Sequence, residues 1–467
     1  MAKNDSNAML ASLGVLVPEI LVPAEGVDIG SWAVIACDQY TSEPEYWDKV
    51  ARVAEGKPSA LHCVLPELYL GSEKAEGAIA AIQKTMGDYV ASGILRPLPP
   101  GLVLVERSTP YHALRRGVML ALDMERYDYR PGTSSLIRPT EGTIVERLPP
   151  RIRIRRDAAL ELPHIMVLID DRQDEALGRL FGLAAAGRPV YDGELMLGCG
   201  RVRGRFLEAG KAGPALAEAL GALQKESGHP QLLFAMGDGN HSLAAAKAAW
   251  EEIRPGLSPG ERERHPARHA LVEIVNLYDP GVEFHPIHRV LTGADPRRFF
   301  AFLGQKPGFV LKKTSSFEET KSLCAAAWED GDGQAFFTLG LLSAGETALL
   351  RIPRDGAALP TAAAQRLLEE FCSGGGGEGS TGGKTEGKID YIHGGDSLFS
   401  LCAGGQALGV LLPGLPKSEL FPLVLRDGTL PRKAFSIGEA PEKRFYLEAR
   451  RIRDSAIPSF NLWQAEL

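Results

Sequence analysis

Gln231–Trp250 reads QLLFAMGDGNHSLAAAKAAW. The apolar run Leu232–Met236 has strand character, and the alanine-rich run from Ser242 has helix character. Between them stands the tight turn Gly237–Asp238–Gly239. Strand, turn and helix in that order aim backbone N–H groups and the positive helix end at one point, which makes an anion site. Gly237 and Gly239 let the backbone approach a ligand closely. Asp238 suits a metal ion or a hydroxyl. His241 suits a phosphate or a proton transfer, and Asn240 and Ser242 suit the helix cap. Plain capping, with His241 at the surface, is the other reading of the same residues.

The alternation continues outward from this stretch. Trp32–Cys37, Leu102–Val105, Val118–Leu122 and Ile165–Ile169 are further strand candidates. Helical patterns cover 45–54, 76–91, 215–225, 296–303, 317–328 and 361–371. Strands interleaved with helices predict a mixed α/β or α+β chain with more than one sheet. A boundary near 290 separates an expected anion-binding core, 1–290, from an α/β part, 291–467. The Gly-rich Ser373–Gly387 reads as a flexible insertion within the latter.

The chain has 467 residues, 44% hydrophobic and 24% charged, which excludes disorder over its length. Lys and Arg number 52 against 59 Asp and Glu, a net charge of -7 that argues against a general nucleic-acid binder. Six cysteines without a CxxC pair point to a reducing compartment, and no targeting segment is evident, so a cytoplasmic location is expected. The uncharged window Ser397–Pro416 carries glycines and prolines, and reads as helix, turn and strand.

Positive charge is concentrated in two places. Arg147 precedes Arg151–Arg155, which reads RIRIR. On a strand that period sets three guanidinium groups on one face, fit for a polyphosphate or for neighbouring acids. Pro431–Glu448 holds Arg432, Lys433, Lys443 and Arg444, either a second basic wall or a charged loop. Other motifs are weaker. Gly382–Thr385 lacks the leading glycine and the helix of a P-loop. Gly198–Cys199–Gly200 reads as a turn. Asp170–Asp171 suits Mg²⁺ or a helix cap, and His285 and His288 form an HxxH pair without a third ligand.

Several of these segments together resemble a bacterial, largely clostridial branch of the uncharacterised DUF family numbered 1015. They are Ala36–Ser42, Glu141–Thr143 with Arg147–Arg151, Glu161–His164 running to Asp171, the GDGNHS turn, Pro286–Arg289 and Leu430–Glu439. More distantly, the family's Asp-Gly-His-His-Arg turn is similar to the phosphate-binding turn of ParB/sulfiredoxin-like nucleotide-binding proteins, a group that includes an archaeal ADP-dependent free-serine kinase. The resemblance implies a ParB/sulfiredoxin-like core with added sheets, and places Asp238 and His241 beside phosphates. Asn240 and Ser242 stand where the pattern has His and Arg, so a bidentate clamp is lost, and Arg147 or Arg151 is expected to replace its charge.

These readings converge on a nucleotide-dependent phosphotransferase acting on a small hydroxyl-bearing metabolite. ADP or ATP, with Mg²⁺ at Asp238, is the expected cofactor set. Gly237, Gly239, Asn240, Ser242, Arg147, Arg151 and Arg432 are expected to bind it. Asp238, His241, Asp38 and Glu141 are expected to act in catalysis, with Asp38 or Glu141 as base. The expected partner is a small molecule, not nucleic acid or membrane. The alternatives are a non-catalytic nucleotide- or anion-binding regulator, and a metal-dependent hydrolase using His164, His285 and His288.

Overall fold

The computed structural model describes residues 3–71, 75–226, 228, 229, 231–326, 336–354, 359–374 and 387–453. The chain is mixed α/β, with several sheets, and divides into two compact units. One comprises Met1–Val282 with Glu439–Leu467, the other Glu283–Gly438. The chain thus leaves the first unit inside the expected 1–290 domain, and returns to it at Glu439 instead of ending in the second.

The first unit is built on a sheet of nine strands among the described residues. Its order is Pro189–Glu194, Arg201–Glu208, Gly101–Ser108, Arg115–Asp123, His269–Asn276, Met166–Ile169, Phe234–Asp238 and Ile137–Arg138, with Val15–Leu16 beside Arg115–Asp123. The central strands read as unbroken apolar runs because both faces are buried. The period of two sends Leu102, Leu104, Leu120, Leu122 and Val272 into one core. It sends Val103, Val105, Met119 and Leu271 into the other. Helices Glu175–Ala184, Ala209–Glu226 and Asn240–Ile253 cover the first face. Pro44–Ala54 and Ala75–Ala91 pack into the core on the second.

The return segment is stitched to this unit by short pairings. Phe445 and Tyr446 pair with Ile35 and Val34, and Arg450 and Arg451 pair with Glu161 and Leu160. The Trp32 indole N–H donates to the Leu447 carbonyl at 2.9 Å. Trp32–Cys37 is therefore only partly strand, with Ile29–Trp32 helical and Val34–Ile35 extended.

The second unit has a seven-stranded sheet among the described residues. It is ordered Val310–Lys313, Glu346–Pro353, Phe336–Ser343, Ala407–Leu411, Phe284–Thr292 and Lys388–His393, with Phe435–Ile437 also paired to Phe284–Thr292. Phe299, Phe302 and Phe371 meet in its core. The window Ser397–Pro416 resolves into the end of helix Gly395–Cys402, a turn and strand Ala407–Leu411. Among the described residues no helix is long and apolar enough to cross a membrane. Positions 375–386 of the Gly-rich insertion, including the P-loop-like Gly382–Thr385, lie outside the described residues.

Candidate functional site

Strand Phe234–Asp238 runs antiparallel to Met166–Ile169, and its register slips between Met236 and Asp238. Gly237 is the extra residue, a bulge that re-aims the carboxylate following it. Gly239 has φ +78°, and a Cβ there would lie 3.0 Å from Ile165 Cα, so both conformation and space call for glycine. The helix begins at Asn240, two residues before the expected Ser242, with Gly239 as its N-cap and no side-chain cap. Asn240 and Ser242 are therefore helical residues, not caps, which corrects both capping expectations. Asp238 Oδ1 accepts only locally, from Gly239 N–H at 2.8 Å. Gly239, as N-cap, brings no side-chain acceptor of its own to the positive end of this 14-residue helix. Two polar atoms around it, Asn240 Oδ1 and Thr143 Oγ1, are buried with no hydrogen-bond partner among the described residues.

The loop 139–144 is fixed to this turn. Thr140 Oγ1 donates to the Met236 carbonyl at 2.8 Å, and Ile144 N–H donates to His241 Nε2 at 3.3 Å. Glu141 lies half-buried between these two anchors. Because His241 Nε2 accepts, the neutral ring carries its hydrogen on Nδ1.

The antiparallel register sets Met166 opposite Asp238, which brings the residues preceding that strand to the turn. Ser242 Oγ lies 3.2 Å from His164 Nε2, and Asp38 Oδ2 lies 3.8 Å from the same nitrogen. Tyr446 OH accepts from Cys37 N–H at 3.3 Å and meets His164 Nδ1 at 2.8 Å. The phenol hydrogen then goes to Nδ1, leaving Nε2 as the donor toward Ser242 and Asp38. Burial, with Cys37 beside it, pushes the Tyr446 phenol well above its usual value, which keeps that hydrogen in place. This is no Ser–His–Asp triad, since Asp38 and Ser242 address one nitrogen and a tyrosine holds the other.

Lys443 Nζ completes the cluster, 3.4 Å from Asp238 Oδ2. Burial raises the Asp38 carboxyl, but His164, the Gln39 amide and Lys443 together hold it below the ordinary carboxylate range. Burial pushes the neighbouring Cys37 thiol up to about 12, so it stays protonated. The structure thus brings Asp38, Asp238, His241 and Ser242 together, with Glu141 on the adjoining loop.

The arginine segment differs from its strand reading. Leu148–Arg156 is an α-helix, opened by Pro149 and Pro150. Leu148 and, one turn on, Ile152 pack on Ala244 and Ala245 of the Asn240–Ile253 helix. At helical spacing the guanidinium groups fan out. Arg151 pairs with Glu67, Arg153 with Glu76 at 2.6 Å, Arg155 with Glu161 at 2.6 Å and Arg156 with Glu252 at 2.7 Å. The expected polyphosphate face is therefore absent from this helix, and Arg151 is held by a carboxylate. Arg147, just ahead of the helix, is exposed and has no ion-pair partner among the described residues. Arg432 belongs to the second unit, where its carbonyl accepts from Arg289 Nη2 at 3.4 Å.

The family model described as "Protein of unknown function (DUF1015)" matches residues 21–366. The chain belongs to this family. No curated protein matches it. Among solved structures, a DUF1015 chain of this sequence is similar to a free serine kinase in complex with ADP, at 10% identity and TM-score 0.37, over 72% of this chain and 92% of that one. A conserved hypothetical protein from Pyrococcus furiosus matches at 10% identity and TM-score 0.34, over 72% and 95%. SbnI with C-terminal truncation from Staphylococcus aureus matches at 9% identity and TM-score 0.33, over 68% and 82%.

Metal ligation in this DUF1015 chain has a thin donor set. Among the described residues no group of three or more His, Cys, Asp and Glu could hold a metal ion. Asp171 caps helix Glu175–Ala184 through Glu175 N–H and Ala176 N–H, and Asp170 meets His229 at 3.1 Å. His285 and His288 are three apart on one strand, so they face opposite ways. His288 Nδ1 accepts from Leu412 N–H at 3.1 Å, and burial pushes its pKa down to about 4, the behaviour of a core imidazole. Among the described residues the hydrolase alternative therefore finds no ligand cluster. Three residues of this cluster go beyond the sequence-based site: His164 as a phosphotransferase residue, Lys443 and Tyr446. His164 was legible in the Glu161–His164 segment, and Lys443 in the basic C-terminal stretch. Their convergence follows only from strand register and from the return of the chain at Glu439.

Proposed function

We propose that the chain is a nucleotide-dependent phosphotransferase acting on the hydroxyl of a small metabolite. The observation that carries this reading is the glycine-capped helix start at Asn240, with Lys443 3.4 Å from Asp238 on one side and Asp38 3.8 Å from His164 on the other. Helix amides and Lys443 offer a place for the charge of a terminal phosphoryl group. The acceptor hydroxyl lies against Asp38 and His164. Its oxygen forms the new P–O bond while the P–O bond to the nucleotide breaks, and its proton passes to Asp38. ADP or ATP leaves as the shorter nucleotide. Because Asp38 is ionised at neutral pH and held below its usual value, it orients the hydroxyl more than it attacks the proton. That suits a loose transition state, in which positioning and charge do most of the work.

Asp238 is the carboxylate that would help hold a magnesium ion. The ion would supply further charge stabilisation, and Lys443 supplies part of it without the ion. Arg147, exposed and without an ion-pair partner among the described residues, suits a distal phosphate. The same reading takes the turn with its strand and helix as a ParB/sulfiredoxin-like core, in a clostridial-type branch of DUF1015. It also takes the protein as cytoplasmic, meeting a small molecule rather than nucleic acid or membrane. The net charge of -7, with local cations at the turn, supports that choice of partner.

Thermal shift with ADP, ATP and GTP, with and without Mg²⁺, tests the binding step. A nucleotide site raises Tm with ligand concentration. No shift at millimolar nucleotide contradicts the proposal. A shift that Asp238→Ala abolishes, with no phosphate transfer to any metabolite, favours the regulator instead.

A further inference from the structure

A cavity of about 130 Å³ opens beside the turn and belongs wholly to the first unit. His164 and Ser242, whose Nε2 and Oγ lie 3.2 Å apart, are part of its wall. Much of the wall is apolar, with Cys63, Leu65, Met86, Ile154, Ala158 and Leu160 in it. Four charged side chains, Glu67, Arg151, Arg155 and Glu161, also reach the wall. Arg151 pairs with Glu67, and Arg155 with Glu161, which Arg450 also engages at 2.6 Å. Neither glutamate of the wall is left to receive an ammonium group, because Glu67 faces Arg151 and Glu161 faces both Arg155 and Arg450. An engineered apolar cavity of about 150 Å³ takes up benzene, so the volume suits a body of about six to eight heavy atoms.

We propose that this cavity is the acceptor pocket, and that the acceptor is a small neutral alcohol with an apolar body, not an amino acid or a polyol. The inference rests on the phosphotransferase reading for the word acceptor, and on the cavity wall for the ligand class. The alcohol's hydroxyl would meet His164 Nε2 and Ser242 Oγ, the atoms nearest Asp38 and the turn. Its hydrocarbon body would replace water against Met86, Ile154 and Leu160, which favours binding in proportion to the apolar area covered.

Saturation-transfer NMR on the full chain without nucleotide tests the pocket. The probes are benzyl alcohol and 3-methylbutan-1-ol, with glycerol and serine as polar counterparts. Transfer to the two apolar alcohols and none to glycerol or serine is expected. Cys63→Phe fills the cavity and should abolish that transfer while leaving the thermal shift with ADP or ATP in place. Should Cys63→Phe fail to fold, Met86→Ala enlarges the cavity instead, and should strengthen binding of 2-phenylethanol relative to 3-methylbutan-1-ol. Equal transfer to serine or glycerol overturns the proposal. So does alcohol binding that neither substitution changes. Displacement of benzyl alcohol by adenosine overturns it too, because the cavity would then hold the nucleobase. If the alcohols bind as stated but no nucleotide does, the ligand class stands and the phosphotransferase reading falls.

Discussion

Gly239 shows how narrowly the turn is specified at the scale of one residue. With φ +78° and Ile165 Cα 3.0 Å from a would-be Cβ, no other residue fits without a shift of the strand behind it. Gly239→Ala should cost about 1–3 kcal/mol, read as a lower urea midpoint at unchanged slope. An unchanged midpoint would mean that the turn relaxes freely. Asp38 gives a pH signature. Its folded pKa lies below the ordinary 3.8, so its stabilising contribution is present above that value and is lost as pH falls through the lower folded value. A carbon-detected titration of the Asp38 carboxyl should find a midpoint under 3.8, and a midpoint above it would mean that His164 and Lys443 do not act on it. Asp38, Asp238, His241 and Ser242 were legible because they sit in short, chemically dense stretches. His164 and Tyr446 were not legible as partners, since 282 residues separate them and only the fold joins them.

At the scale of elements, period and context compete. RIRIR alternates as a strand does, yet Pro149 and Pro150 favour a helix start, and Leu148 and Ile152 at spacing four find Ala244 and Ala245. Tertiary packing decided the outcome, and it turned an expected ligand face into four ion pairs. The long apolar strands were legible because burial on both faces leaves no doubt of their character. Two-residue pairings such as Arg450–Arg451 with Leu160–Glu161 carry no such pattern. They still matter to stability. Glu161 is 6% exposed and is shared by Arg155 and Arg450. Arg450→Ala leaves that carboxylate half-compensated and should cost about 3–5 kcal/mol. Arg450→Met, with Glu161→Gln in the same chain, should recover much of it in chemical denaturation. A loss under about 1 kcal/mol for Arg450→Ala would show that Arg155 suffices.

For the whole molecule, the return at Glu439 is the organising event. It supplies strand partners to Val34–Ile35 and Leu160–Glu161, and it carries Lys443 to Asp238. Ending the chain at Gly438 should therefore unfold or loosen the first unit while leaving the second protected. Amide exchange should rise in Gly101–Ser108 and His269–Asn276 and stay slow in Phe336–Ser343 and Ala407–Leu411. Equal loss in both units would contradict the division of the chain. Phosphoryl transfer at this site requires phosphate to bind at the helix start with the help of Lys443. Isothermal titration of ATP into the wild-type chain and into Lys443→Ala tests it most directly. Saturable one-site binding, weakened about tenfold by the substitution, is the predicted result. No heat at millimolar ATP, or the same affinity in both proteins, would contradict it.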